Sequence, residues 1–301
     1  MMRIPFDLAE TLAAVIDEGT LDAAARRLHV TPSAVSQRIK ALEEQLGRVV
    51  LVRSKPARAT PAGAAVVRMA RQLSLLEHDA LAELGADDDA ARISVALAVN
   101  ADSLATWFLE PLARLSSRHP VVFDLHRDDQ DFTAGLLESG TVMAAVTSRA
   151  TPVAGCRVVG LGTMRYEAVA TPGFVETWLG GAAAAAASDR AAALAAAPLV
   201  DFDRRDDLQT LWLRAQGVDA VPPRHYVPAS SDFARAVALG LGWGLLPSFQ
   251  SAAGLAAGSL VRLGGAPVDV PLYWQQWNLR SPLLDAIAAE LVAEARRVLT
   301  P

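Results

Sequence analysis

The segment from Leu21 to Gly47 constrains the fold of this chain more than any other, because it contains two helix signals separated by a very short turn. Ala25 lies on the apolar face of the first predicted helix, and its small side chain lets another helix approach closely. Thr31 and Pro32 then start the next helix, the threonine as an N-cap and the proline with the helical φ already set. Gly47 follows the last apolar position and ends that helix. The segment therefore predicts two helices joined at a tight turn.

The second of these helices has two different faces. Its apolar stripe, at helical spacing, consists of Val35, Ile39, Leu42 and Leu46. Its opposite face is polar and consists of Ser33, Ser36, Gln37 and Lys40. Such side chains can reach base edges and phosphates when a helix lies in the major groove of DNA, whereas an ordinary surface helix more often carries Glu/Lys pairs four residues apart. The pattern indicates a recognition helix.

The charge of the chain is distributed unevenly. All 301 residues together carry a net charge of −5 at pH 7, which would argue against nucleic acid as a partner if the charge were evenly spread. Residues 20–72 contain ten basic and three acidic side chains, a net charge of +7, so the rest of the chain carries −12. A cationic segment on an anionic body is typical of a protein that binds a polyanion, and the alternative is a solvated basic face.

The flanking sequence completes a winged helix-turn-helix. An apolar stripe before it predicts a first helix that ends at Gly19; this stripe consists of Leu8, Leu12, Val15 and Ile16. After it, Val49–Val52 predicts a short strand and Arg53–Arg58 a basic turn, which together form the wing. The residues expected to contact DNA are Thr31, Ser33, Ser36, Gln37, Arg38, Lys40, Arg53, Lys55 and Arg58.

A long helix is predicted from Thr60 and Pro61 to about Gly85. The spacing of its apolar residues alternates between three and four positions, as in the seam of a dimeric coiled coil. These residues are Val66, Met69, Leu73, Leu76 and Ala80. The alternative is a helix that lies on its own domain, since two heptads are short for a coiled coil. The acidic run at residues 87–89 is predicted to be a solvated domain boundary.

Strand and helix signals alternate beyond residue 90. Strands at 93–97, 121–125 and 142–146 with intervening helices predict a parallel βαβαβ unit, and a similar set recurs from residue 166 onward. The expected fold class is α/β with an N-terminal α-rich winged helix-turn-helix, a linker helix and a two-lobed α/β domain. The expected bounds are 1–59 for DNA binding, 60–89 for the linker, and 90–301 for the two-lobed domain, with lobes at about 90–162 plus 266–301 and about 163–265.

The segment Leu21–Gly47 resembles the winged helix-turn-helix of LysR-type transcriptional regulators. That resemblance extends over the whole chain and implies an effector domain of periplasmic-binding-protein (type II) architecture. Four further stretches are similar to the arginine- and lysine-responsive ArgP/LysG branch, the last of them to its actinobacterial members: Leu51–Pro56, Asn100–Trp107, Pro271–Trp274 and Met164–Ala170. The resemblance implies a homodimer or homotetramer that binds promoter DNA, acts with RNA polymerase and controls an amino-acid exporter gene.

Ligands of such domains bind beyond the carboxyl ends of the strands, between the two lobes. The polar residues expected there are Asn100, Asp102, Ser103, Asp128, Thr147, Asp203, Ser231 and Asp232. Helix starts at Ser103 and Ser231 would hold a carboxylate, and an aspartate would meet the cationic side chain of lysine or arginine. The alternatives are N-capping by Asp102 and Asp232, and a solvated loop around Asp203.

Other chemistry is not indicated. The five histidines show no paired metal-ligand spacing, no nucleophile elbow is present, and no cofactor motif is complete, so neither an enzyme nor a metal protein is expected. The single cysteine, the lack of a signal-like N-terminus and the lack of a long uninterrupted apolar stretch predict a cytoplasmic protein. Two alternatives remain: an architectural or replication-modulating DNA-binding protein without a ligand response, and a solute-binding-type protein.

Overall fold

The structure is a computed structural model that describes residues 3–84, 92–127, 133–180 and 187–300. The chain forms two compact units. The first comprises Met1–Val99, Leu112–Val159 and Trp274–Glu290, and the second comprises Asn100–Pro111, Gly160–Tyr273 and Leu291–Pro301. The predicted boundary at residues 87–89 and Asp128 both lie outside the described residues.

The N-terminal part of the first unit is a winged helix-turn-helix, as the sequence predicts. Its elements are α1 (Phe6–Glu18), α2 (Leu21–Arg27), α3 (Pro32–Leu46), β1 (Leu51–Val52) and β2 (Arg58–Ala59), and the two strands pair antiparallel. Thr20 and Thr31 cap α2 and α3 through their side chains, and Gly19 and Gly47 end α1 and α3 in the left-handed conformation. The apolar stripes of the three helices meet in one core around Leu12, Ile39 and Leu42.

Helix α4 (Pro61–Glu83) begins within this core and continues along the first unit. Val66 is 5% exposed and Met69 packs against the same core, so the seam prediction is wrong for Val66, which its own domain already covers. Leu73 and Leu76 stay 41% and 38% exposed, and Ala80 is exposed. The predicted seam residues therefore divide: Val66 and Met69 pack inward, whereas Leu73, Leu76 and Ala80 face outward.

Hydrogen bonds and an ion pair join α4 to other parts of the first unit. Arg71 donates to the Gly140 carbonyl and pairs with Asp17 of α1, and Arg68 donates to the Glu138 carbonyl at 3.0 Å. Gly140 has φ +72°, and a Cβ there would lie 2.5 Å from the Arg68 Cβ. The close approach of α4 to this turn therefore requires glycine.

Three strands of the first unit pair in parallel, as predicted. Strand β3 (Ile93–Val99) pairs in parallel with β4 (Val121–Arg127) on one side and β5 (Ala144–Thr147) on the other. Helices α6 (Leu109–Ser116) and α7 (Thr133–Glu138) connect these strands. After β5, Gln275 holds the following loop by accepting from the Val153 amide and donating to two carbonyls of residues 149–151.

The second unit is built on the long strand β6 (Cys156–Ala170), whose last residues pair antiparallel with β9 (Gly244–Pro247) and β10 (Val261–Arg262). A parallel pair, β7 (Leu199–Asp201) and β8 (Arg224–Tyr226), forms a second small sheet. The helices are α5 (Ala101–Thr106), α8 (Pro172–Leu179), α9 (Ala187–Ala196), α10 (Leu208–Ala215), α11 (Ser230–Ala238) and α12 (Ser248–Ala257). Strand β11 (Val268–Trp277) and helix α13 (Pro282–Val298) contribute residues to both units.

Two details of the effector domain concern its close packing. The connection from β3 to β4 contains two helices, α5 and α6, with Trp107 and Phe108 buried between them. Residues 244–247 form the buried strand β9. A Cβ on Gly244 would lie 2.9 Å from both Phe233 and Val237, so this glycine serves the close packing of α11 on the strand.

Candidate nucleic-acid interface and polar cluster

The polar face of α3 lies open to solvent. Ser33, Gln37 and Lys40 are exposed and Ser36 is half-buried, while the stripe on the opposite side is buried. Thr31 accepts a hydrogen bond from the Ala34 amide at 3.1 Å, so its hydroxyl serves as the cap of α3. The helix thus presents short polar side chains near its N-terminal end, which is the requirement for reading base edges.

Two of the predicted basic contacts have partners within the domain. Arg38 donates to the Thr11 hydroxyl at 3.3 Å and is half-buried. Lys40 lies 3.5 Å from Glu44 in an exposed pair one helical turn apart, which contributes little stability. Lys40 can therefore leave its partner at small cost, whereas Arg38 also supports the packing of α3 on α1.

The wing carries the remaining cations. Arg53, Lys55 and Arg58 are exposed on and between β1 and β2, and within the described parts of the chain none of the three forms an ion pair. Unpaired, exposed cations beside a recognition helix are suited to phosphate contacts.

A polar cluster in the second unit is centred on Asp102 of α5. Its Oδ1 accepts from the Ser230 hydroxyl at 2.6 Å, and its Oδ2 accepts from the Tyr166 hydroxyl at 2.7 Å. Gln250 donates to the Ser230 hydroxyl oxygen at 2.9 Å. Burial is the largest cause that raises the pKa of Tyr166 well above its usual value, and the Asp102 carboxylate raises it further. Tyr166 is therefore a hydrogen-bond donor at any physiological pH.

Two further polar atoms beside Asp102 are buried. Asn100 is 3% exposed and Ser103 is fully buried, and among the residues that the structure describes neither Asn100 Oδ1 nor Ser103 Oγ has a hydrogen-bond partner. A buried polar atom without a partner costs free energy, so this segment gains from a ligand that supplies one. The three residues predicted from Asn100 to Ser103 thus lie together, in the second unit.

Acidic residues continue the cluster along β7 and the loop after it. Asp201 is 1% exposed and pairs with Arg224, which also donates to the Thr210 hydroxyl at 3.0 Å. Burial raises the pKa of Asp201, and Arg224 partly opposes this. Asp203 pairs with Arg205 at 3.2 Å and accepts from the backbone amides of residues 205 and 206, and these bonds outweigh burial, so its pKa is lowered.

Asp206 follows in the same loop and is half-buried. Burial is the main cause that raises its pKa to about 6, against the lowering effect of the Leu208 amide, which donates to its carboxylate at 3.1 Å. The carboxylates of Asp201 and Asp102 raise this pKa further. Asp206 therefore changes charge close to neutral pH.

The remaining predicted residues are distributed differently. Thr147 is buried at the end of β5 in the first unit, where its hydroxyl accepts from the Arg149 amide at 3.2 Å. Ser231 and Asp232 are exposed, and the first residue of α11 is Ser230, so the expected position of the helix start is wrong by one residue. The sequence prediction missed Ser230, Tyr166, Gln250 and Asp206; only the serine pair at 230–231 gave a signal for any of them.

Comparisons with known protein families identify both parts of the chain. The model for bacterial regulatory helix-turn-helix proteins of the lysR family matches residues 6–64, and the LysR substrate-binding domain model matches residues 88–296. The chain belongs to the LysR family. This LysR protein is accordingly a DNA-binding transcriptional regulator and not an enzyme, with an N-terminal helix-turn-helix domain followed by a two-lobed α/β effector domain.

Two curated relatives of this LysR regulator cover almost its full length. The HTH-type transcriptional regulator LysG of Mycobacterium tuberculosis is 47% identical over 94% of this chain and 91% of that protein. The lysine export transcriptional regulatory protein LysG of Corynebacterium glutamicum is 40% identical over 97% of this chain and 98% of that protein. The similarity to the ArgP/LysG branch is thereby confirmed.

Solved structures agree with this assignment of the LysR regulator. The crystal structure of ArgP from Mycobacterium tuberculosis has a TM-score of 0.84 and 46% identity, with 99% of both chains covered. Full-length LysG from Corynebacterium glutamicum with bound effector Arg has a TM-score of 0.76 and 39% identity, covering 99% of this chain and 100% of that one. Within the described residues, no helix is long and apolar enough to span a bilayer.

Proposed function

We propose that this regulator binds operator DNA through α3 and the wing and responds to a basic amino acid, arginine or lysine. The observation that carries the effector class is the similarity over 99% of the chain to a LysG whose structure contains bound arginine. The name of the Corynebacterium relative further supports an amino-acid exporter gene as the regulated target.

The polar cluster around Asp102 supports the proposed effector class. The ammonium group of an amino acid can donate to Asn100 Oδ1, which has no hydrogen-bond partner in the part of the chain that the structure describes. The cluster also contains several carboxylates, which attract a cationic side chain. An uncharged amino acid of the same length would leave the half-buried Asp206 carboxylate without a cation, and this accounts for selection of a basic side chain.

The proposed DNA contacts divide into two kinds. Gln37 and the serines of α3 read base edges, while Lys40 and the wing cations bind phosphates. Thr31 and Arg38 position α3 through the cap and the Thr11 contact. We propose that the protein acts in the cytoplasm, where its DNA target and RNA polymerase are located.

A homodimer or homotetramer is part of the proposal. Leu73, Leu76 and Ala80 form an exposed apolar row on α4, and an apolar row of this kind is stabilised by a second copy of the helix. Two copies would present two recognition helices to two half-sites.

Calorimetry of the full-length protein with L-arginine, L-lysine and L-norleucine tests the effector proposal. Norleucine matches the length of lysine but lacks the terminal ammonium. We expect arginine or lysine to bind at least about 30-fold more tightly than norleucine, since removal of one partner of a desolvated charge pair costs about 2 kcal/mol or more. Equal binding of norleucine and lysine, or no binding of either basic amino acid, would contradict the proposal.

A further inference from the structure

Four aspartates lie on or beside the polar cluster, and their contacts differ. Both oxygens of Asp102 accept hydrogen bonds, from Ser230 and Tyr166. Asp201 Oδ2 is bound by Arg224. Asp203 is bound by Arg205 and by two backbone amides. These three carboxylates therefore already have strong donors from their own chain.

Asp206 has no such donor. Its side-chain partners are backbone amides, chiefly that of Leu208, and none of the ion pairs among residues 3–84, 92–127, 133–180 and 187–300 includes it. It is half-buried, so the carboxylate is desolvated but still accessible. A carboxylate held in this way, without a cation of its own, can bind a cation supplied from outside the chain.

The surroundings of Asp206 also indicate a ligand. Asp201 is 1% exposed and belongs to the same acidic group, and no described residue donates a hydrogen bond to its Oδ1. Asn100 Oδ1 and Ser103 Oγ, beside Asp102, are buried and unpartnered as well. Acceptors of this kind are stabilised by a ligand with several N–H donors, such as a guanidinium or ammonium group.

We propose that Asp206 binds the cationic side chain of the effector and is the residue that selects basic amino acids. This inference rests on the proposed function. Asp102, with Ser230 and Tyr166, then positions the ligand rather than neutralising its side chain. A guanidinium or ammonium beside Asp206 stabilises the ionised carboxylate, so binding and loss of the Asp206 proton are coupled.

The coupling gives effector affinity a defined pH dependence. Among the described residues, the charged or titratable groups that act on Asp206 or lie beside it include Asp102 on α5, Tyr166 on β6 and Asp201 on β7; Asp203 and Arg205 lie in its own loop, and Arg224 on β8 pairs with Asp201. Tyr166 stays neutral because its pKa is raised well above the usual value, and Asp203 stays ionised between pH 5 and 7.5 because its pKa is lowered. Asp206, whose pKa is about 6, changes charge within this range, so protonation of its carboxylate weakens binding below pH 6.

Calorimetric titration of the full-length protein with L-arginine between pH 5 and 7.5 tests the inference. Only the ionised fraction binds, so wild-type affinity should increase by about tenfold across this range. In Asp206→Asn we expect affinity at pH 7.5 to fall by at least about 30-fold and the pH dependence to disappear. Asp207→Asn is the matched control: it removes the same charge from the neighbouring exposed position and should retain both the affinity and the pH dependence of the wild type.

A second measurement uses the wild type alone and does not depend on the folding of a variant. Titrations at pH 6 in two buffers with different ionisation enthalpies give the protons released per arginine bound. We expect about half a proton, because Asp206 is about half protonated at its pKa before binding. Zero proton release, or an Asp206→Asn variant with wild-type affinity or wild-type pH dependence, overturns the inference while leaving the proposed function intact. Absence of arginine and lysine binding in the wild type at every pH overturns both.

Discussion

The polar face of α3 and the polar cluster around Asp102 differ in how exposed their polar side chains are and in how many partners these side chains have within the chain. On α3 and the wing, Gln37, Lys55 and their neighbours are exposed and have few partners in the chain. In the cluster, Ser230 and Tyr166 both donate to the half-buried Asp102, and both of these donors are buried. A surface for a large polyanion needs only exposed groups on a rigid frame, whereas selection of one small molecule needs desolvated groups fixed by their neighbours.

The first prediction tests whether the exposed apolar row of α4 mediates oligomerisation, in addition to the DNA binding assigned to α3 and the wing. Leu73→Asp places a charge in the apolar row of α4, where a partner helix would bury it, and a buried unpaired charge costs about 3 to 5 kcal/mol. Sedimentation should show dissociation to monomers. Gln72→Asp adds the same charge one residue away and should keep the oligomer. An unchanged oligomer in Leu73→Asp would mean that the effector domains alone hold the assembly.

The second prediction tests the packing of α4 against the wing, which supports the DNA-binding surface. A Cβ on Gly63 of α4 would lie 2.0 Å from the Val50 carbonyl oxygen, a backbone atom that cannot move without displacing the wing. Gly63→Ala should destabilise the domain by about 3 kcal/mol and weaken DNA binding. Gly173→Ala in α8, where a Cβ meets nothing within 4 Å, should leave stability unchanged or slightly increased. Denaturant unfolding compares the two, and equal stabilities would contradict the packing described.

The third prediction concerns how ionisation of Asp206 changes the free energy of unfolding. The pKa of Asp206 rises from 3.8 to about 6 on folding, so ionisation of this carboxylate destabilises the folded state above pH 6, and the effect vanishes below pH 3.8 where both states are protonated. Asp206→Asn should therefore stabilise the protein at pH 7.5, by up to about 3 kcal/mol, and by progressively less toward pH 4. Thermal unfolding across this range measures the difference. A variant less stable than the wild type at pH 7.5 would contradict this assignment.

The fourth prediction separates base readout from phosphate binding. Gln37→Ala should weaken specific operator binding by about 1 to 3 kcal/mol and relax selection at one base pair per half-site. Lys55→Ala should lower affinity evenly across sequences and reduce the salt dependence by about one unit. Titration of variant operators at several salt concentrations measures both effects. If Gln37→Ala keeps the sequence preference of the wild type, this residue does not read bases.

The two regions also differ in how far sequence alone predicts them. Helix α3 was predicted with its start at Pro32, its end before Gly47 and its buried stripe, because caps and periodicity are local properties. The hydrogen bonds of Asp102 join residues 64 and 128 positions away, and no local pattern marks Tyr166 as a partner. Asp206 was missed for the same reason, since its raised pKa depends on burial and on carboxylates from other elements.

The central claim is that a basic amino acid alters specific DNA binding by this regulator. Footprinting of the full-length protein on the promoter of its target gene, with and without L-arginine or L-lysine, tests it most directly. We expect protection of a defined operator that changes in extent or affinity when the basic amino acid is added, and that does not change with norleucine. Broad protection that is insensitive to all three amino acids would contradict it and would favour an architectural DNA-binding protein.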